Sequence, residues 1–276
     1  MPMLQKPLRI PLITSLAVTL VTLVLYALLA GSATQGVYFD VWYARLMYLA
    51  WLLPPIAALT LGRGVKAQPL TETPHPVLRV VGALASLASL ALGVHLILLA
   101  LPALSLPKPQ MGIFALLGGV LAVLGAPAPA LLATQRRFFL AGALTGMALP
   151  LSVICYVMSL YFDTALPKNA SHKLILSLAL CLLVLYLLCE AGELLGRYRP
   201  RWGALLALSV TPLLAGAGVG GVILSVRLPK GEALSPVPAI FCVIFFLYIY
   251  MRVLLRPAVP SEDPISCEAS EEIPHA

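Results

Sequence analysis

Eight stretches of this 276-residue chain are long, apolar and almost free of charge: residues 10–30, 43–61, 77–101, 111–134, 138–162, 174–194, 204–226 and 237–255. A helix rising 1.5 Å per residue needs roughly 20 residues to cross a hydrocarbon core of about 30 Å, and each stretch comes to that length. Lipid offers no hydrogen bonds, so the backbone of a crossing segment must be satisfied within itself, which selects helices. The runs lack the period-two alternation of a membrane β-barrel. The expected fold class is therefore all-α: a polytopic integral membrane protein of about eight transmembrane helices.

Composition excludes the alternatives. Charged residues make up 11% of the chain, against roughly 25% in a soluble domain. Mean hydropathy is +0.98. Neither a water-soluble surface nor a disordered chain can be built from this material. The net charge of +7 does not imply a nucleic-acid partner, because no basic cluster exceeds Arg197, Arg199 and Arg201. The partner that composition implies is the lipid bilayer.

Lys and Arg set the orientation. With the N-terminus in the cytoplasm, Lys6, Arg9, Arg63, Lys66, Arg79, Arg136, Arg137, Arg197, Arg199, Arg201, Arg252 and Arg256 fall inside. Arg45, Lys108, Lys168, Lys173, Arg227 and Lys230 fall outside. The excess inside predicts both termini in the cytoplasm. Residues 1–256 form the membrane domain, and 257–276, acidic and without Lys or Arg, read as a disordered cytoplasmic tail. The first stretch follows a short basic segment. Its length favours a span over a cleaved signal, whose apolar part runs to roughly 15 residues; a cleaved signal would leave seven spans. In the fourth stretch, Pro127 and Pro129 predict a break or kink. Pro54-Pro55, Pro150 and Pro212 place bends in three others.

Small residues mark close helix contacts. Gly82, Ser86, Ser89 and Gly93 fall on one narrow stripe at helical spacing, and Gly216 and Gly220 form a G-x-x-x-G pair. Such faces suit a neighbouring helix, a partner subunit or a second copy of the chain. Gly216–Gly221 also spells G-x-G-x-x-G, but no strand precedes it, so a nucleotide site is not expected.

Few polar groups remain as candidates. His95 lies inside the third stretch, on the side away from the glycine stripe, and is either a functional group or a neutral histidine bonded to a neighbouring helix. Arg45 stands at the outer start of the second stretch, as a snorkelling arginine or as the partner of Asp40, Asp163 or an anionic ligand. Glu190 lies near the end of the sixth stretch, as a proton or cation site or as an interfacial carboxylate near Arg199 or Arg201. Tyr38-Phe39-Asp40 and Tyr161-Phe162-Asp163 echo one another on the outer side, as a four-plus-four duplication would require. No catalytic residue, metal site or cofactor is expected. The chain has no H-E-x-x-H, no G-x-S-x-G and no C-x-x-C, so it is not expected to be an enzyme.

Two resemblances touch the same region. Glu190-Ala191-Gly192, Gly196 and Leu206-Ala207-Leu208 resemble the cytoplasmic EAA loop of ABC importer permeases, which implies a docked ATPase subunit. Ser209 stands where that pattern has proline, and the loop is shorter than the permeases' coupling helices. The string Tyr161-Phe162-Asp163, Pro167-Lys168-Asn169-Ala170, Lys173 and Leu174 through Glu190 to Leu195-Gly196-Arg197 is similar to uncharacterised bacterial polytopic membrane proteins. That similarity implies a bacterial cell membrane and no particular activity. The leading expectation is a permease-like component handling a small solute, marked by a polar cavity reaching His95, Arg45 or Glu190. The alternative is a non-catalytic sensor or scaffold, marked by a dry, tightly packed bundle.

Overall fold

The computed structural model describes residues 8–32, 42–61, 75–106, 109–134, 139–164, 170–194, 200–227 and 235–255. Among these residues the chain is all helix and turn. The helices are α1 (Arg9–Ser32), α2 (Trp42–Ala50), α3 (Leu53–Leu61), α4 (Pro76–Leu104), α5 (Gln110–Gly125), α6 (Ala128–Thr134), α7 (Phe139–Phe162), α8 (Ser171–Leu194), α9 (Pro200–Arg227) and α10 (Pro236–Leu254). Seven segments are long and apolar enough to cross a membrane, one of them α5 and α6 together. An all-α polytopic membrane protein is what these helices form. The tail at 257–276 lies outside the described residues.

Local signals start the helices. His75 and Ser235 precede prolines at the first helical position, and each side chain accepts the N–H of Val77 or Val237. Prolines break two of the spans. The segment expected at 43–61 is split at Trp51–Leu52, where the Leu52 N–H turns to Leu49 O at 3.1 Å and Pro54-Pro55 can donate nothing. The segment expected at 111–134 is split at Ala126-Pro127, so a short half-helix follows α5. The pair α2–α3 still runs across the bundle. Ser15 bonds Leu208 O and the Thr211 hydroxyl, while Thr22 and Tyr26 lie against Gly216. Residue numbers thus rise together along α1 and α9, and the two helices are parallel. An even number of crossings joins the start of one to the start of the other, which counts α2–α3 as a crossing and gives eight among the described residues.

Six spans close into a ring. The order is α4, α5 (with α6), α7, α8, α9, α10 and back to α4. Helix α1 and the broken pair sit outside it, with α1 and α3 on α9, the most buried span. The ring is filled by Tyr156, Tyr186, Phe241, Phe245 and Tyr248, all buried. The outward faces are lined with exposed Leu, Ile and Val, as a lipid-facing surface requires. The first two crossings lie outside the ring and their counterparts α7 and α8 lie within it. Among the described residues the two halves therefore pack differently, and the echo between Tyr38-Phe39-Asp40 and Tyr161-Phe162-Asp163 has no matching repeat in the packing.

The small-residue stripes are covered within the chain. Gly93 and Gly119 face each other across α4 and α5: a Cβ on Gly93 would meet Gly119 O at 2.9 Å, and one on Gly119 would meet Gly93 O at 2.8 Å. Gly82 receives α6, and Gly216 and Gly220 receive the Tyr26 ring of α1. These faces serve the chain's own helices, so they are not open to a partner subunit or second copy.

Candidate functional site

Among the described residues, the most concentrated polar chemistry bridges the ring at the end that holds Arg9, Arg79 and Arg201. Arg252, in the last turn of α10, sets its Nε 2.5 Å from Glu190 Oε1. Tyr186, one turn before Glu190 on α8, donates to the same oxygen. Tyr248, one turn before Arg252 on α10, donates to Oε2 at 3.0 Å. The far side of the guanidinium donates from Nη1 to Leu132 O of α6 at 3.3 Å. The two charged side chains are 8% and 3% exposed, so water screens them little. Each i, i+4 pair puts a hydroxyl and a charge on the same face of its helix. A buried charge in a membrane is tolerated when it is paired and hydrogen-bonded, and this one is both.

A second polar group lies at the opposite end of the bundle. The Tyr26 hydroxyl bonds His172 Nδ1, edge-on to its ring, and both side chains are buried. Lys173 is also buried, and its Nζ donates to Asp163 O at 2.8 Å. A hydroxyl seam runs beside it between α1 and α9. Ser15 bonds Thr211, and Trp51 Nε1 donates to the Thr22 hydroxyl at 2.9 Å, tying the break in the second span to α1.

The structure scatters the residues singled out from sequence. Glu190 is the centre of the bridged cluster and pairs with Arg252; Arg201 is exposed at the start of α9, and Arg199 lies outside the described residues. Arg45 is exposed on α2. His95 is half-buried on α4 and bonds none of the described residues, so the expected bond to a neighbouring helix is not formed among them. Asp163 is half-buried at the end of α7 and contributes its backbone carbonyl to Lys173. Asp40 lies outside the described residues. Of the EAA-like string, Glu190 and Ala191 are buried near the end of α8 and Leu206-Ala207-Leu208 lies within α9, while Gly196 lies outside the described residues.

Sequence reasoning missed Arg252, Tyr186, Tyr248, Tyr26 and His172. Arg252 looked like a loop charge because it stands at the end of an apolar stretch. The signal that could have found it was the repeated spacing, Tyr186 to Glu190 and Tyr248 to Arg252, in two different spans.

One cavity of about 630 Å³ opens between the broken pair and the α8–α9 face. Trp51, Leu52 and Pro55 line it on one side, and Leu178, Leu206 and Ser209 on the other. Its walls are almost wholly hydrocarbon. Of the polar groups on it, Trp51 Nε1 is spent on Thr22, the Ser209 hydroxyl on Leu205 O at 2.7 Å, and Tyr48 and Ser171 hydrogen-bond each other. Arg45, His95, Asp163 and Glu190 do not line it. The break in the second span lies on one wall, where Pro55 itself lines the cavity. Compared with known proteins, the chain matches no protein-family model, no curated protein and no solved structure.

Proposed function

We propose that this multi-pass membrane protein is a permease-like component whose cargo is an apolar or single-chain amphipathic molecule taken from the bilayer. The observation that carries this reading is the hydrocarbon-walled cavity beside the broken second span. Its volume falls within the roughly 300–1,000 Å³ of small-molecule sites. A hydrophilic solute would leave its hydration shell at a wall that offers it only a few hydroxyls, already bonded, so the chemistry of the wall favours hydrocarbon. A discontinuous span at a cavity is also how many membrane transporters build their sites.

The dry, filled ring supports the competing reading, a sensor or scaffold. One experiment separates them. Protein in lipid vesicles is given a fluorescent single-chain amphiphile, and its exchange between leaflets is timed. The proposal expects exchange well above that of protein-free vesicles, and expects Ser209→Phe, which fills the cavity, to remove the gain. Exchange at the protein-free rate would support the scaffold. Binding is read separately, from quenching of Trp51 by bromine-bearing alkyl chains in a Trp42→Phe/Trp202→Phe background.

A further inference from the structure

We propose that Glu190 and Arg252 form a charge latch that holds the half-helix α6 in place, and that α6 is the segment that comes free when the latch opens. The argument begins with the backbone of α6. A seven-residue helix is mostly ends, and its first N–H and last C=O groups have no partners within it. Buried, they must be bonded elsewhere. Ala130 N–H donates to the Ser86 hydroxyl of α4 at 3.1 Å, and Leu131 N–H to Pro127 O at 3.0 Å. At the other end Thr134 donates to Leu131 O at 3.1 Å, and Arg252 donates to Leu132 O. One hydrogen bond from α4 and one from α10 therefore tie the backbone of α6 to its neighbours. The Ala126-Pro127 break frees it from α5, whose own ladder ends there.

Glu190 holds Arg252 where it reaches α6. The planar guanidinium presents Nε to the carboxylate and Nη1 to the carbonyl together. A lysine ammonium at the end of a flexible stem cannot keep that fork. The carboxylate is itself fixed by Tyr186 and Tyr248. The order of dependence is tyrosines, Glu190, Arg252, α6. A charge pair placed only to satisfy itself would not need the second arm of the arginine.

The test is hydrogen–deuterium exchange of the full chain in lipid nanodiscs, read peptide by peptide. Glu190→Gln keeps the shape and removes the charge; Arg252→Lys keeps the charge and removes the fork. The latch expects about tenfold faster exchange of the α6 amides in both, with α4 and α9 within about twofold of the unchanged protein. Tyr248→Phe leaves the ion pair whole. It expects the same pattern with a smaller factor, and remains readable where the charge variants fold poorly. Unchanged α6 exchange in Arg252→Lys overturns the proposal. So does acceleration spread evenly over every span, which would mean a bundle loosened as a whole.

Discussion

Replacing Glu190 by Leu tests whether the bridged cluster is a charge pair or a set of separate hydrogen bonds. Leucine leaves the Arg252 guanidinium buried without its counter-ion, and two tyrosine hydroxyls without their acceptor. Breaking a buried pair at one side costs about 3–5 kcal/mol, because the remaining charge is uncompensated. The exposures of 8% and 3% leave no reason to discount that figure for solvent. The tyrosines add little, since a side-chain hydrogen bond inside a membrane protein averages about 0.6 kcal/mol. Glu190→Leu is therefore expected to lose about 4 kcal/mol, roughly a thousandfold in the folding equilibrium. Arg252→Met should lose a similar amount, and Tyr248→Phe about 0.6 kcal/mol. The double variant Glu190→Leu/Arg252→Met has no charge to strand. Replacing both partners is often neutral, so it should recover to within about 1 kcal/mol of the original. The assay is equilibrium unfolding in mixed detergent micelles, followed by helical circular dichroism. A loss below about 1 kcal/mol for Glu190→Leu would refute the burial argument. A double variant as unstable as the two losses combined would refute the pairing.

Three further outcomes follow from the packing and the charge pattern. Gly125→Ala would put a Cβ 2.5 Å from the Leu149 backbone nitrogen and 2.8 Å from its Cα, so α7 must shift; the expected cost is about 1–3 kcal/mol in the same unfolding assay, despite alanine's better helix propensity. His95→Leu should stay within about 0.5 kcal/mol of the original, because the imidazole bonds none of the described residues. A reporter fused at Arg136-Arg137 should report the cytoplasm, as positive-inside counting requires, and the opposite result would overturn the orientation.

The break in the fourth span was legible because a missing N–H acts where the proline stands, whereas Pro54-Pro55 predicted a bend where the second span in fact divides into α2 and α3. The glycine stripes were legible as contact faces for the same reason: closeness of approach is set by the side chain that is absent. Which helix would fill each face was not legible. Gly216 and Gly220 take the Tyr26 ring, from a span near the opposite end of the sequence. Of the residues named in advance, Glu190 alone became the centre of a polar cluster. Tyr248 and Glu190 are 58 residues apart, and no local pattern pairs a carboxylate in one span with an arginine in another.

Chain chemistry alone determined that this protein is a helical bundle in a membrane, with its span lengths, its bends and the side expected for its arginines. Those properties follow from hydrocarbon thickness, backbone satisfaction and charge, each of which acts along the chain. Tertiary structure decided that six spans close into a ring, that the second span crosses outside it beside a hydrocarbon-walled cavity, and that Arg252 lies inward on Glu190. The reason is that a span can be recognised from its own residues, whereas burial of a charge depends on what another helix places opposite it.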